Sequence, residues 1–128
     1  LALDLKTLEY RPQQKIKSAT LDATKTVENL CDRMKVFAKG TDKVGEFFRT
    51  SFFGLFEYVS DRIPEISDEL YRIDDALRAG FGWELGPFEV WDALGVKDTV
   101  DGMQKYGNKA APWVQTMLDA GHQSFYKV

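Results

Sequence analysis

Glycine limits this chain more than any other residue. Gly40, Gly80, Gly95, Gly107 and Gly121 each follow a run of apolar positions at helical spacing. A glycine just past such a run is the usual helix terminator, because it adopts the left-handed conformation without steric cost. From about Leu21 to Lys39, Val27, Leu30, Cys31, Met34, Phe37 and Ala38 share one helix face. Thr41 or Asp42 can cap the next helix, striped by Val44, Phe47, Phe48, Phe52, Leu55, Phe56 and Val59 and ended by Pro64. Ser67 suits an N-cap ahead of Leu70, Ile73, Ala76 and Leu77, with Gly80 as the stop. Gly86-Pro87 opens a short helix to Gly95, since proline suits the first helical position. Val96, Val100 and Met103 mark a further helix to Gly107, and Pro112 to Gly121 the last. The prediction is all-α: about six helices with short connections. Residues 1–20, with Leu1, Leu3 and Leu5 in alternation before Pro12, are expected to form an extended arm or linker, leaving 21–128 as the helical domain.

Composition narrows the function. The 128 residues carry 17 Lys+Arg against 20 Asp+Glu, a net charge of −3, with no basic block of the kind that neutralises phosphate backbones. No nucleic-acid partner is expected. Apolar runs are only a few residues long, so no membrane span is expected. One cysteine, Cys31, cannot form an internal disulfide, which suits a cytoplasmic protein. One histidine, His122, cannot build a multi-histidine metal site. The chain opens on Leu1 and closes on an apolar–aromatic alternation that looks like the start of a strand, so it reads as a piece of a longer polypeptide.

Few residues suggest chemistry. Gly80, Gly82 and Gly86 spell G-x-G-x-x-x-G, but a helix precedes them where a dinucleotide fingerprint needs a strand, and the last gap is one residue too long. A tight helix-to-helix turn is the better reading. His122 has only Asp119 nearby as an orienting partner, at a helix end. Cys31 sits between Leu30 and Met34 on an apolar face, which predicts a buried, inert thiol. Glu65, Asp68, Glu69, Asp74 and Asp75 show no spacing that selects a catalytic pair, and their charge runs read as a solvated face. Phe53 lies off the main aromatic stripe, which points to a second buried face against a neighbouring domain.

The segment Ile73–Gly95, IDDALRAGFGWELGPFEVWDALG, resembles the C-terminal helical domain of the 3-hydroxyacyl-CoA dehydrogenases of fatty-acid β-oxidation. That family carries a D-x-A helix, a glycine turn and then G-P-F/M-x-L/V-x-D-x-x-G. Here Asp74, Ala76, Gly80, Gly82, Gly86, Pro87, Phe88, Val90, Asp92 and Gly95 stand in register, and Trp83 also fits. LDLKTLEY near the start, the run from Asp42 and R-I-P-E-I from Arg62 look like the long forms with a second helical unit. Glu84 departs from the pattern, where many members have proline.

The resemblance implies a compact bundle of the 6-phosphogluconate dehydrogenase C-terminal-like type. Its motif residues, Asp74, Gly80, Gly82, Gly86, Pro87, Phe88, Trp91, Asp92 and Gly95, are expected to serve architecture and interface rather than acid–base chemistry. Asp92 is expected to fix the angle of the turn by accepting a hydrogen bond. In the family, NAD and the catalytic His–Glu pair belong to a Rossmann domain that precedes the helical unit. No catalytic, cofactor-binding or metal-binding residue is therefore assigned in this chain. The implied partners are that Rossmann domain, a first helical unit of the same polypeptide, acyl-CoA substrate and a possible homodimer mate. Two rival readings are a free-standing helical interaction module that uses the aromatic stripe, and a small enzyme that uses His122 with a carboxylate.

Overall fold

The computed structural model describes residues 1–127. An antiparallel hairpin pairs β1 (Ala2–Leu3) with β2 (Tyr10–Arg11). Asp4 holds its turn by accepting from the Lys6 and Thr7 amides at 2.9 and 3.3 Å. Seven helices follow among the described residues: α1 (Ala19–Thr24), α2 (Leu30–Lys39), α3 (Lys43–Asp61), α4 (Leu70–Phe81), α5 (Pro87–Leu94), α6 (Val96–Lys105) and α7 (Pro112–Asp119). The architecture is all-α.

The helix expected from Leu21 to Lys39 is two helices. Asn29 is the cause: its side chain accepts from the Asp32 amide at 3.1 Å and starts α2 afresh. Arg33 then secures the break by donating to the Val27 carbonyl at 2.9 and 3.0 Å. Asp42 anchors the next corner. Its carboxylate caps α3 at the Gly45 amide and also accepts from the Ser18 hydroxyl and from the amide and hydroxyl of Thr20. α1 is thereby tied to the start of α3.

α3 is buried on more than one side, so a single stripe misstates it. Phe48, Phe53, Phe56 and Val59 are buried, whereas Phe47 of the expected stripe is 74% exposed. Phe53 packs edge-on against Tyr106 with ring centroids 5.3 Å apart, and it lies over Gly102 of α6. Its second face is filled from within the chain rather than by a neighbouring domain.

Ser67 does not cap α4. Its hydroxyl bonds the backbone of Glu69 instead, and the helix begins at Leu70. At the other end Gly80 lies inside α4, and Gly82 (φ 68°) is the left-handed terminator. Gly95 (φ 91°) joins α5 directly to α6. After α7 the chain turns back across the bundle, and the described residues up to 127 do not form the strand suggested by the alternation.

The core centres on α5. Phe56 of α3 stacks on Trp91 at 4.8 Å, Phe88 lies beyond it, and Phe125 meets both Phe88 and Trp91 edge-on at 5.1 Å. Met103, Val96 and Val114 close the cluster from α6 and α7. Truncating one of these rings would cost about 3–5 kcal/mol. Ser60 docks α7 onto α3: its hydroxyl accepts from the Ala111 amide at 3.0 Å, and its carbonyl accepts from the Trp113 indole at 2.9 Å.

Candidate functional site

The residues that carry the sequence motif meet where α4 crosses the start of α5. Asp74 is fully buried there, not part of a solvated face. Its Oδ1 accepts from the Phe88 amide at 2.9 Å and its Oδ2 from the Glu89 amide at 3.1 Å. Those are unsatisfied donors of the first turn of α5, so a side chain from another helix caps α5. Gly86 makes this approach possible. A Cβ there would lie 2.3 Å from Asp74 Cβ and 2.5 Å from its Cα, so only glycine fits. Pro87 needs no amide partner at the first helical position, and Phe88 and Trp91 enter the core one turn apart.

The chain's end closes the junction. Asp92 accepts from the Phe125 and Tyr126 amides at 2.7 and 2.9 Å, pinning the returning segment rather than the turn after α4. The Tyr126 hydroxyl then donates to Asp74 Oδ2 at 2.8 Å. Glu89 accepts from the Gly86 amide at 2.7 Å and pairs with Arg78, which also pairs with Asp75. Arg78 is thus the guanidinium that compensates this group of carboxylates.

Burial pushes the Asp74 and Asp92 carboxyls above the usual aspartate range; donated hydrogen bonds oppose the shift and the nearby Glu89 charge adds to it. Burial, followed by the bond to Asp74, drives the Tyr126 phenol well above its ordinary value. Each acid is engaged in holding backbone or phenol donors. The arrangement locks α4, α5 and the C-terminal segment together.

Tyr126, Glu89 and Arg78 were not singled out from the sequence. Only Glu89 had a readable signal, as a glutamate three residues after a helix-opening glycine. Gly80 and Gly82 stand apart from the lock, on the exposed end of α4. His122 is exposed beyond α7, and Cys31 is partly rather than fully buried. No group of three metal-ligating side chains is found among the described residues.

A dinucleotide does not fit this glycine cluster. Pyrophosphate is received by free amides at a helix N-terminus. Here Gly82 ends a helix, presenting carbonyls, and the N-terminal amides of α5 are already held by Asp74 and Glu89. A phosphate would face two carboxylates.

Residues 63–125 match the model of the family described as 3-hydroxyacyl-CoA dehydrogenase, C-terminal domain. A Bacillus subtilis (strain 168) protein named as a 3-hydroxyacyl-CoA dehydrogenase is 36% identical over 124 residues, covering 97% of this chain and 16% of the relative. A Rickettsia prowazekii protein named as a fatty acid oxidation complex trifunctional enzyme is 23% identical over 88 residues, 69% of this chain and 11% of that protein. This chain therefore spans about one-sixth or less of the length of these relatives. No solved structure matches it. The lock lies almost wholly within residues 63–125, and it is this segment that the chain shares with the C-terminal domain of the 3-hydroxyacyl-CoA dehydrogenase family.

Proposed function

We propose that this chain is the helical unit of an NAD-dependent 3-hydroxyacyl-CoA dehydrogenase, which oxidises 3-hydroxyacyl-CoA to 3-oxoacyl-CoA in β-oxidation. The observation that carries the reading is the 36% identity across nearly the whole chain to the Bacillus subtilis protein. In this reading NAD and the catalytic pair belong to a Rossmann domain elsewhere in a cytoplasmic polypeptide, and the present chain is inactive alone. The linker is residues 1–17, and the domain starts at Ser18, which caps α1, rather than at the expected 21.

The helical unit shapes the acyl-CoA cleft and mates with a first helical unit or a second copy. Its shape supports this role. α4 stands away from α3, leaving an open groove of about 790 Å3 floored by Leu55, Val59, Ile73 and Leu77. Tyr58 and Ile66 on its edge are 58% and 68% exposed. An apolar groove of this kind on a small domain suits a neighbouring helical unit.

The test uses the full polypeptide, with NADH formation from a 3-hydroxyacyl-CoA as the readout. Activity should collapse on deletion of residues 63–125, while NAD affinity persists. Retained turnover after deletion would refute the assigned role. Sedimentation of the 128-residue chain at several concentrations tests the mating surface, and a strict monomer would count against self-association.

A further inference from the structure

A second depression lies on a different face, between α2, α3 and α6. It has a volume of about 390 Å3, within the roughly 300–1,000 Å3 range of small-molecule sites. Its charge runs opposite to that of the chain. Lys35, Lys39, Arg49 and Lys105 line it against a single carboxylate, Asp98, in a molecule of net charge −3.

Helix ends explain only part of that charge. Lys39 and Lys105 occupy the last turns of α2 and α6, where cations favour the terminal carbonyls. Lys35 and Arg49 sit well inside their helices. Lys35 is engaged by Asp32 at 3.0 Å, whereas Lys39 and Lys105 have no ion-pair partner among the described residues.

Arg49 is fixed in place beforehand. Its Nε donates to the Tyr106 hydroxyl at 2.7 Å, and its Nη1 donates to the Ala38 and Gly40 carbonyls at 2.9 and 2.5 Å. Nη2 has no partner among the described residues, so a guanidinium already paid for in side-chain entropy keeps a donor free. The floor is apolar: Phe53 is 5% exposed, Leu94 borders it, and Gly102 contributes no side chain. Tyr106, 39% exposed, stands at the wall, its ring perpendicular to Phe53 and the Arg49 guanidinium over it.

Clustered cations around an aromatic, apolar floor match a ligand with phosphate at one end and a flat ring at the other. The geometry points to a binding site for a nucleoside phosphate in the α2/α3/α6 pocket, separate from the α4/α5 lock. The phosphate is held by Arg49, Lys39 and Lys105, and the base lies against Tyr106 over Phe53. Two sources share this chemistry, a free nucleotide and the 3′-phosphoadenosine end of coenzyme A.

The 128-residue chain carries its own core and can be tested directly by calorimetric titration. The probes are AMP, adenosine 3′,5′-bisphosphate, coenzyme A and inorganic pyrophosphate. The nucleotides should bind more tightly than pyrophosphate. Lys39→Glu and Lys105→Glu should each weaken binding by about tenfold or more, as expected for losing a charge-assisted contact, with the melting temperature unchanged. Coenzyme A binding as tightly as the bisphosphate identifies the bound source, and binding of free nucleotides alone identifies the other; both support the site. Equal affinity for pyrophosphate, insensitivity to both lysine variants, or no binding at millimolar ligand would overturn it. None of these outcomes depends on NADH formation by the full polypeptide, so the two readings fail separately.

Discussion

Replacing Asp74 by alanine tests the lock most severely. The change leaves the Phe88 and Glu89 amides without their cap, a loss of about 0.5–2 kcal/mol by analogy with N-cap removal. It also orphans the Tyr126 hydroxyl, which costs about 1–3 kcal/mol when such a group stays buried. The lost carboxyl volume against Gly86 adds to this. Relief of a buried negative charge offsets part of it, because burial already raises the Asp74 carboxyl. The net is about 3 kcal/mol of destabilisation, or roughly 12 °C in melting temperature at about 4 °C per kcal/mol for a domain of this size. Thermal unfolding followed by circular dichroism reads it. Tyr126→Phe alone should cost about 1 kcal/mol, yet nothing further in the Asp74→Ala background, because the partner is already gone. A shift of under about 4 °C for Asp74→Ala, or an equal Tyr126→Phe cost in both backgrounds, would refute the reasoning.

Other consequences are as specific. Gly86→Ala forces a Cβ to 2.5 Å from Asp74 Cα, backbone that cannot swing aside, so unfolding data should show a loss of about 3 kcal/mol or more. Asp92→Ala releases the Phe125 and Tyr126 amides; hydrogen exchange should show their protection lost while the amides of α3 keep theirs. Asp42 behaves oppositely to the buried acids. The Ser18 hydroxyl, then the Thr20 amide and hydroxyl, hold its carboxyl far below the ordinary value of about 3.9. Its contribution is therefore complete above that value and lost as pH falls through the lowered one. Melting temperatures taken down to pH 2 should fall more steeply for the native chain than for Asp42→Asn, and parallel curves would contradict the assignment.

Local signals were the readable part of the fold. Apolar periodicity with Asp42, Gly95, Gly107 and Gly121 at the boundaries located most helices, because caps and terminators act within one turn. The split before α2 escaped because Asn29 competes with helix continuation through a side-chain bond that periodicity does not register. Phe47 was misplaced because a helix with neighbours on several sides has no single buried stripe, whereas Phe53 is buried as its off-stripe position implied. Gly80 was expected as the stop, but the terminator is Gly82, a choice that only the backbone conformation decides.

The lock was legible only in its parts. The Gly86–Gly95 motif pointed to the junction, but Asp74 and Asp75 are neighbouring acids with opposite fates. What distinguishes them is the direction of α5 and a tyrosine 52 residues away in sequence, information carried by no local window. The Lys35–Lys105 pocket escaped for the same reason, since its cations come from three separate helices.

The central claim is that the chain supplies architecture while nicotinamide binding resides elsewhere in the polypeptide. Titrating NAD into the 128-residue chain at millimolar concentration, beside the full-length protein, tests it most directly. The account predicts a saturable isotherm of dehydrogenase-like affinity for the full polypeptide. For the chain it predicts at most weak heat, abolished by Lys105→Glu. Tight NAD binding by the chain, unaffected by that substitution, would contradict it.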